Sequence, residues 1–407
     1  MVIPLAAYTH REVPLEFAGR RLSFATSLAL FSSHQVDVGS RLLLRTLDLA
    51  LADRPAEDAR ILDLGCGYGA LGIALAALSE VASVDLVDRD ALAVDFAREN
   101  ARRNGVEACV TAFATLGLDD LPPEARYDLV VSNLPGKAGS RVIASMLLDP
   151  LGLLRPGGFV AVVVIEPIRD LVASTLARPD VEVTLRRDTA DYSVFHYRPA
   201  PGAPSPPPPS GFEAGVYDHG VVTFDDAAEL PITIRTVEGL PSYDRVDVMD
   251  LTLAGRLPRL VSDPRVLITN VGQGALPAAV LRAQPTARFL LVDRDLLALR
   301  TARRALLDLG CPDDRIETHL VGAWDVEAMR DARADLAIGA LHEDGGAAAV
   351  TAEYAGIIEA LAPGGHAVLA GSSTAVTRLL GHALPPGMRA SRTRHRGTSF
   401  LEVTRGA

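Results

Sequence analysis

The chain has 407 residues, of which 48% are hydrophobic and 22% charged, and its formal net charge is −11. This length suits two domains of about 200 residues each, and the composition is globular rather than disordered. No apolar run reaches the roughly 18–20 residues that a membrane-spanning helix needs, and no signal peptide is visible at the start. Three scattered cysteines argue against a disulfide framework and show no metal-type spacing. We therefore expect a cytoplasmic protein without a bound metal.

The acidic balance disfavours indiscriminate binding to phosphate backbones, which depends on clustered Lys and Arg. No DNA partner is expected, whereas a structured RNA read through a local basic patch remains open. The basic residues are also unusual in kind, since 39 of the 40 are arginines and the one lysine is Lys137.

In the first half of the chain, short β-branched runs alternate with helical stretches, which predicts a doubly wound, mostly parallel sheet. The turn at residues 155–158, Arg-Pro-Gly-Gly, is expected to stop the last helix and lead into a strand. Two further strands around an Asp-rich turn predict an antiparallel hairpin that closes the sheet. The predicted strands are residues 60–64, 83–87, 127–132, 158–165, 181–186 and 193–197, and the predicted helices are residues 70–78, 91–104 and 141–154.

The second half repeats the first. The sequence Val-Asp-Arg-Asp occurs at residues 87–90 and again at 292–295, and Pro-Gly-Gly occurs at 156–158 and 363–365. Collinear matches in the same order indicate internal duplication. A Pro-rich segment between the copies predicts an extended, semi-rigid spacer. The expected domains are residues 1–198 and 211–407, joined by a linker at 199–210.

An apolar strand runs directly into a glycine-rich turn at residues 61–69, Ile-Leu-Asp-Leu-Gly-Cys-Gly-Tyr-Gly. Its spacing is Gly-x-Gly-x-Gly, whereas dinucleotide-binding turns carry Gly-x-Gly-x-x-Gly. The glycines let the turn tighten and let a ligand approach the backbone. Asp63 precedes the turn, where a carboxylate can reach the amino group of a methionine moiety. Asp88 ends the next strand, where it can accept both ribose hydroxyls of an adenosine.

These residues resemble the class I S-adenosylmethionine methyltransferases, which carry Asp-x-Gly-x-Gly-x-Gly and an acidic residue at the end of the second strand. Residues 31–44 (FSSHQVDVGSRLLL) and 132–139 (SNLPGKAG) resemble the small-domain methyltransferases, a group that includes enzymes acting on guanine N2 in ribosomal RNA. The resemblance covers about residues 14–198. It implies an α/β fold of two tandem Rossmann-like domains, each a mostly parallel seven-stranded sheet with an antiparallel C-terminal hairpin. It also implies S-adenosyl-L-methionine as cofactor, bound by Asp63, Gly65, Cys66, Gly67, Gly69, Asp88, Arg89 and Asn133.

The resemblance also implies an Asn-Pro-Pro-aromatic loop after the fourth core strand. There the Asn side-chain carbonyl and the following backbone carbonyl would accept hydrogen bonds from a target amine, so that catalysis is mostly positioning and desolvation. This chain has Asn-Leu-Pro-Gly at residues 133–136, which keeps the amine acceptor and loses the stacking aromatic. We expect Asn133, Pro135 and Lys137 to be catalytic, and Phe31 and Tyr68 to supply the missing stacking surface. An ammonium is a compact point charge where a guanidinium is a broad fork, so Lys137 is also expected to contact substrate.

The second copy lacks several of these groups. Asp63 corresponds to Ile268, Gly65 to Asn270, and the sequence Asn-Leu-Pro to Ala-Leu-His at residues 340–342. Asp293 persists at the position of Asp88. We therefore expect a degenerate copy that packs and positions substrate. Residues 342–344, His-Glu-Asp, are expected to be solvated surface.

The leading hypothesis is methylation of an exocyclic base amine in ribosomal RNA, similar to guanine N2. Arg392, Arg394 and Arg396 would share one face of a strand and support an RNA partner. The alternative enzyme hypothesis is methylation of an amine or hydroxyl of a small metabolite or a protein. A non-catalytic scaffold is the third hypothesis, and the intact motifs of the first copy argue against it.

Overall fold

The structure is a computed structural model of the 407-residue chain. It describes residues 5–51, 58–78, 81–204, 211–225, 230–258, 260–324, 329, 331–382, 384–395 and 398–406. The chain forms two compact units. The first unit comprises Thr9–Tyr217, and the second comprises Asp218–Ala407 together with Met1–Tyr8.

The first unit begins with a two-stranded hairpin and continues as an alternation of strands and helices. Its described strands are β1 (Arg11–Phe17), β2 (Arg20–Thr26), β3 (Ala59–Leu64), β4 (Val81–Asp88), β5 (Val110–Ala114), β6 (Tyr127–Asn133), β7 (Leu154–Ile165), β8 (Val181–Asp188) and β9 (Tyr192–Pro199). Its described helices are α1 (Val38–Leu51), α2 (Ala70–Ala76), α3 (Ala91–Arg103), α4 (Ser140–Leu148) and α5 (Arg169–Leu176).

The second unit repeats the same succession of elements. Its described strands are β10 (Asp218–Asp225), β11 (Pro231–Val237), β12 (Arg265–Thr269), β13 (Arg288–Asp293), β14 (Ile316–Leu320), β15 (Ala334–Ala340), β16 (Leu361–Gly371), β17 (Met388–His395) and β18 (Thr398–Arg405). Its described helices are α6 (Val248–Ala254), α7 (Ala275–Ala283), α8 (Leu296–Asp308), α9 (Ala347–Glu359) and α10 (Ser373–Leu380).

Each unit contains a seven-stranded sheet, and the two sheets share one strand order. The orders are β5-β4-β3-β6-β7-β9-β8 and β14-β13-β12-β15-β16-β18-β17. Pairing is parallel except at the last two strands of each sheet, where β9 runs antiparallel to β7 and β8, and β18 runs antiparallel to β16 and β17. The predicted α/β fold of two tandem, mostly parallel sheets with C-terminal hairpins is confirmed. Among the described residues, no helix has the length and apolar character needed to cross a membrane.

The predicted helix over residues 141–154 is too long. Helix α4 ends at Leu148 and a 3-10 turn follows at Asp149–Leu153, because Pro150 removes a backbone N–H donor from the helix. The predicted turn at residues 155–158 lies inside β7, at an irregularity of the register between Tyr127 and Leu129 of the neighbouring strand β6. Gly157 has a positive φ of 84° there, so the turn-forming residues make a local bulge within the strand.

The segment around the predicted linker packs on the first unit where it is described. The Phe212 backbone N–H donates to Asp119 Oδ2 at 2.9 Å, and Tyr217 is buried. Near the start of the chain, the Tyr8 hydroxyl accepts a hydrogen bond from the Trp324 backbone N–H at 3.3 Å. Tyr8 therefore belongs to the second unit, although it precedes the first in sequence. Residues 205–210 of the Pro-rich segment lie outside the described part of the chain.

Candidate active site at the carboxyl edge of the first sheet

The glycine-rich turn links the end of β3 to the start of α2. Gly65 and Gly67 adopt left-handed backbone conformations with φ of 73° and 55°, and a Cβ atom at either position would meet nothing within 4 Å. The space above the turn is therefore open to a ligand that approaches the backbone closely. Gly69 also has a positive φ of 90°, and a Cβ atom there would lie 2.6 Å from Ile73 Cδ1. These glycines meet a conformational requirement of the turn and leave a cradle above it.

Asp88 ends β4 beside this turn and fixes its shape. Its Oδ2 accepts a hydrogen bond from Gly67 N at 2.9 Å, and its Oδ1 accepts one from Asp90 N at 3.0 Å. Burial raises the pKa of the carboxyl, while these two hydrogen bonds and the neighbouring Arg89 oppose the shift. A carboxylate oxygen accepts more than one hydrogen bond. Asp88 thus keeps acceptor capacity for a pair of ligand hydroxyls after it has bound the turn.

Asp63 lies one strand away and is fully buried. Its Oδ2 accepts from Gly72 N in α2 at 2.8 Å, and its Oδ1 has no partner among the described residues. Burial, followed by the nearby Asp88, raises the pKa of Asp63 to about 7. An acceptor that is buried without a partner costs free energy, so this oxygen is a fit for a cationic ligand group such as an ammonium.

Cys66 lies inside the turn with its thiol buried. The Sγ donates to Gly67 O at 3.4 Å, and burial raises the pKa of the thiol well above its usual range. A thiol held in its protonated form is a poor nucleophile. We therefore assign Cys66 a structural role within the turn.

Asn133 is the last residue of β6, at the carboxyl edge that also carries the ends of β3 and β4. Its Nδ2 donates to Asp37 Oδ2 at 2.9 Å and to Ser40 Oγ at 3.0 Å. Because a carboxylate only accepts hydrogen bonds, Asp37 fixes which end of the amide it faces. The Oδ1 of Asn133 is consequently turned the other way, and no described residue donates to it. It is an oriented and unused hydrogen-bond acceptor.

Asp37 itself is held by two other groups. It precedes α1, where its Oδ2 accepts from Ser40 N at 3.1 Å as a helix N-cap, and its Oδ1 accepts from the Tyr192 hydroxyl of β9 at 3.1 Å. Sequence reasoning missed Asp37, Ser40 and Tyr192 as site residues. The first two lie in the segment FSSHQVDVGSRLLL, whose resemblance to the small-domain methyltransferases was the available signal. Tyr192 carried no signal, because only the folded sheet brings it to Asp37.

The loop after β6 explains the absent aromatic. Leu134 is buried and its N–H donates to Val163 O at 3.0 Å, which keeps the chain close to β7. A Cβ atom at Gly136 would lie 2.5 Å from Ile165 Cδ1, so a side chain at this position requires Ile165 to move. Pro135 is exposed and its carbonyl accepts from Ala138 N at 3.2 Å. Lys137 is exposed in the same loop.

The two aromatic candidates differ in accessibility. Phe31 is 74% exposed, whereas Tyr68 is buried with its ring 5.9 Å from that of Phe24. Burial raises the pKa of the Tyr68 hydroxyl. Phe31 is thus the more accessible of the two predicted stacking residues, and Tyr68 is part of the core.

The second unit has a different set of contacts at the equivalent edge. Asn270 keeps the left-handed backbone of its glycine counterpart, with φ of 55°, and its Nδ2 donates to Ala340 O. The same Nδ2 lies 3.5 Å from Glu353 Oε1, and buried Glu353 also binds His342 through the backbone N at 2.9 Å and the ring Nδ1 at 3.2 Å. The expectation that residues 342–344 are solvated surface holds for Glu343 and Asp344, which are exposed, and is wrong for His342, which is bonded to a buried carboxylate. Glu353 raises the pKa of His342 against the opposing effect of burial.

Arg392 and Arg394 of the predicted basic face share one side of β17. Arg392 donates to Thr377 Oγ1 at 2.7 Å and Ser399 Oγ at 2.8 Å, and Arg394 donates to Ser373 Oγ at 3.0 Å. These guanidinium groups are engaged within the second unit. Arg396 lies outside the described residues.

Known proteins share the sequence and the geometry of the first unit. Residues 21–195 match the family model of the methyltransferase small domain. This match covers most of the first unit, Thr9–Tyr217. The glycine turn, Asp88 and Asn133 of this unit lie at the carboxyl edge of the sheet, where ligands of open α/β sheets bind.

Curated relatives match about a third of this chain. The chain is 28% identical over 142 residues to the uncharacterized protein YbxB of Bacillus subtilis, of which it covers 68%. It is 33% identical over 129 residues to the ribosomal RNA small subunit methyltransferase C of Aliivibrio fischeri and 38% identical over 120 residues to that of Citrobacter koseri. These matches cover 35% and 32% of the relatives and about a third of this chain.

One solved structure is similar over both units. The 16S rRNA N2 methyltransferase RsmC of T. thermophilus, determined with AdoMet and guanosine, aligns with 98% of this chain and 99% of its own at a TM-score of 0.64 and 21% identity. This likeness shows that the tandem arrangement of the two sheets is a fold shared with RsmC.

Proposed function

We propose that this chain is an S-adenosylmethionine-dependent methyltransferase that modifies the exocyclic N2 amine of a guanine base in small-subunit ribosomal RNA. The observation that carries the proposal is the orientation of Asn133, whose Nδ2 is bound by Asp37 and Ser40 so that Oδ1 is left to accept. An amine is the group that such an acceptor recognises. The relatives named ribosomal RNA small subunit methyltransferase C and the fold shared with an enzyme solved with guanosine support the substrate. We further propose that the protein acts in the cytoplasm, as expected of an enzyme with this substrate.

The residues of the first unit fit the cofactor. The open space above Gly65 and Gly67 accommodates a ligand against the backbone, Asp88 accepts ribose hydroxyls, and the unpartnered Oδ1 of Asp63 is matched to the cofactor's ammonium group. Cys66 and Gly69 belong to the same turn, and Arg89 follows Asp88 directly after β4. When bound, the cofactor supplies an electrophilic methyl group.

The chain contributes position and orientation. Asn133 Oδ1 and the backbone carbonyl that follows hold the two hydrogens of the target amine, which sets the direction of the nitrogen lone pair. The hydrogen bonds from Asn133 to Asp37 and Ser40 keep that acceptor in place without reorganisation during the reaction. Phe31 stacks on the exposed face of the base, and Lys137 contacts a carbonyl or phosphate beside it.

We infer that the second unit is a degenerate copy that binds no S-adenosylmethionine. Ile268 stands where Asp63 would face the ammonium group, and Ala340 stands where Asn133 would face the amine. The Asn270 side chain lies across the strand ends that Gly65 leaves open. The second unit therefore serves packing and the positioning of RNA.

The test is nucleoside mass spectrometry of ribosomal RNA from a strain that lacks the gene, compared with its parent. We expect one N2-methylguanosine to be lost from the small-subunit RNA and restored by the wild-type gene. Purified chain with labelled S-adenosylmethionine should methylate RNA from the deletion strain and leave parental RNA unlabelled. An unchanged nucleoside profile, with methyl transfer to a small metabolite or a protein instead, would contradict the substrate.

A further inference from the structure

The second unit retains a cavity at the carboxyl edge of its sheet. Its volume is about 390 Å³, and it lies at the ends of β12, β13 and β15, lined there by Asn270, Asp293 and Ala340. Ligands of open α/β sheets bind at this edge, and cavities of this size accommodate small organic molecules. The cavity therefore has the position and volume of a binding site in a unit to which we assign no cofactor.

Part of the edge beside this cavity is filled by protein. The Asn270 side chain reaches from the end of β12 to the carbonyl of Ala340, and buried Glu353 binds both Asn270 and His342. In the first unit, Gly65 leaves the corresponding space open. A ligand with a long charged arm over the strand ends would have to displace this hydrogen-bonded cluster. The cavity therefore favours a ligand without such an arm.

The remaining part has what a ribose needs. Asp293 is buried, and its two oxygens accept from Val271 N and Asp295 N, both at 2.9 Å, which fixes the carboxylate at the cavity wall. Each oxygen retains a lone pair for a vicinal hydroxyl. Gly272 has φ of 48°, and a Cβ atom there would meet nothing within 4 Å, so a ligand can approach the turn.

The other walls of the cavity combine charged side chains with apolar surface. Asp247 and Asp250 line it together with Asp293, and Arg245 and Arg294 line it as well, so the wall carries charges of both signs. Ile234, Leu240 and Ala298 supply apolar surface for a flat base. We propose that the second unit binds a ribonucleoside moiety in this cavity, through its vicinal hydroxyls on Asp293 and its base on the apolar wall.

The experiment is calorimetric titration of the full chain with adenosine, after the first unit has been saturated with S-adenosylhomocysteine. We expect one adenosine per chain, and at least about tenfold weaker binding of 2′,3′-dideoxyadenosine, which lacks the vicinal hydroxyls. Asp293→Asn should weaken adenosine to a similar extent. Asn133→Ala is the matched control in the first unit and should leave adenosine affinity unchanged.

Several results would overturn the inference. These are the absence of saturable adenosine binding, equal affinity for the dideoxy compound, or weakening by Asn133→Ala with no effect of Asp293→Asn. The comparison of adenosine with 2′,3′-dideoxyadenosine uses the wild-type chain, so it tests the inference even if Asp293→Asn fails to fold. The inference rests on the proposed function only for the saturation step, so that failure of S-adenosylhomocysteine to bind would count against the proposed function separately.

A second arm distinguishes a free nucleoside from a nucleotide of the RNA substrate. Small-subunit ribosomal RNA from the deletion strain is added to the adenosine-loaded chain. Displacement of adenosine, with weaker RNA binding by Asp293→Asn, assigns the cavity to an RNA nucleotide. Simultaneous binding of both assigns it to a free ribonucleoside.

Discussion

The two units share a backbone and differ in the side chains at its carboxyl edge. The glycine turn of the first unit has φ of 73°, 55° and 90° at Gly65, Gly67 and Gly69, and the second has 55°, 48° and 87° at Asn270, Gly272 and Gly274. Asn is among the few residues that adopt this conformation without glycine's freedom. The turn geometry is thus required by the fold in both units, whereas the space that Gly65 leaves open in the first unit is occupied by the Asn270 side chain in the second.

The helix caps show the same division. Asp37 and Asp247 both cap the helix that follows, by accepting from Ser40 N at 3.1 Å and from Met249 N at 2.8 Å. Asp37 additionally orients the side-chain amide of Asn133. In the second unit, the position of Asn133 is occupied by Ala340, which has no amide to orient. Residues that serve the fold are retained in both units, and the partners that serve a ligand are retained in one.

The hairpins show that a structural requirement can be met by another residue. In the first unit, Asn100 of α3 binds both the N–H and the carbonyl of Ala25 in β2, at 2.7 and 3.0 Å. The second unit has Ala305 at that position, packed in an apolar cluster. Gln273 of the turn instead binds the N–H and the carbonyl of Val237 in β11, both at 3.0 Å. The edge of the hairpin is satisfied in both units.

The largest effect is expected at Asn133. Asn133→Ala removes the oriented acceptor, so kcat should fall by about 10²- to 10⁴-fold, while calorimetry shows unchanged cofactor affinity. Ala340→Ser at the matched position of the second unit should keep kcat within about twofold, a change of less than 0.5 kcal/mol. Near-normal turnover of Asn133→Ala would show that the carboxyl edge of the first sheet does not differ from that of the second in supplying a catalytic acceptor.

The next effect is on stability and concerns Asp63, where the second unit has neutral Ile268. The pKa of Asp63 in the folded protein is about 7 against an ordinary value of 3.8. The folded state therefore binds the proton more tightly, and this contribution to stability is complete below pH 3.8 and lost as pH rises through 7. The charged buried carboxylate then costs about 4 kcal/mol.

Asp63→Asn does not titrate, so we expect it to be more stable than the wild type at pH 8 and to lose that advantage towards pH 4. Cofactor affinity should fall in the same variant. Chemical denaturation of the full chain across this pH range measures the effect. If the free energy of unfolding of the two proteins had the same pH dependence, ionisation of Asp63 would not destabilise the folded state.

Cofactor stoichiometry compares the units directly. Titration should give one S-adenosylmethionine per chain. Asp88→Asn should weaken binding about tenfold to a hundredfold, since it replaces one carboxylate oxygen by an NH2 donor and leaves one ribose hydroxyl without its acceptor. Asp293→Asn should leave the affinity for S-adenosylmethionine unchanged. Two equivalent sites in the wild type would disprove the assignment of the second unit.

A smaller effect is expected at Asp37. Asp37→Asn keeps a capping residue for α1 but can present either end of its amide to Asn133, so the orientation of that acceptor is no longer fixed. We expect kcat to fall about tenfold, equivalent to one misplaced hydrogen bond of about 1.4 kcal/mol, with unchanged KM and cofactor affinity. Asp247→Asn is the control. A rise in KM alone would indicate a structural role for Asp37.

The smallest effect is expected at exposed Lys137. Lys137→Arg keeps the charge and changes its shape, and we expect kcat/KM to fall by no more than about fivefold. Lys137→Ala should lose more than the arginine variant does. If steady-state kinetics gives wild-type values for both variants, the one lysine of the chain has no part in the reaction.

The sequence was sufficient for the fold and the glycine turn and insufficient for the residues around Asn133. Strand and turn signals are local, because an apolar run, a glycine and the acidic strand end of Asp88 lie within about 25 residues. The length of α4 was misjudged because residues 155–158 signal a turn, which the sheet accommodates as a bulge in β7. The sequence predicts a surface position for His342 because no recognisable motif marks its partner, Glu353, on the following helix.

The sequence by itself determined the duplication pattern, the mostly parallel strand order within each sheet, and the positions of Asp63, Asp88 and Asn133 near strand ends. These follow from periodicity and spacing along the chain. Only the tertiary structure decided which way the Asn133 amide faces, because Asp37 is 96 residues away and Tyr192 is 155 residues from Asp37. It also decided that Asn270, Glu353 and His342 form one cluster. Hydrogen bonds between side chains depend on atoms brought within about 3 Å, and only the packed sheet brings these residues together.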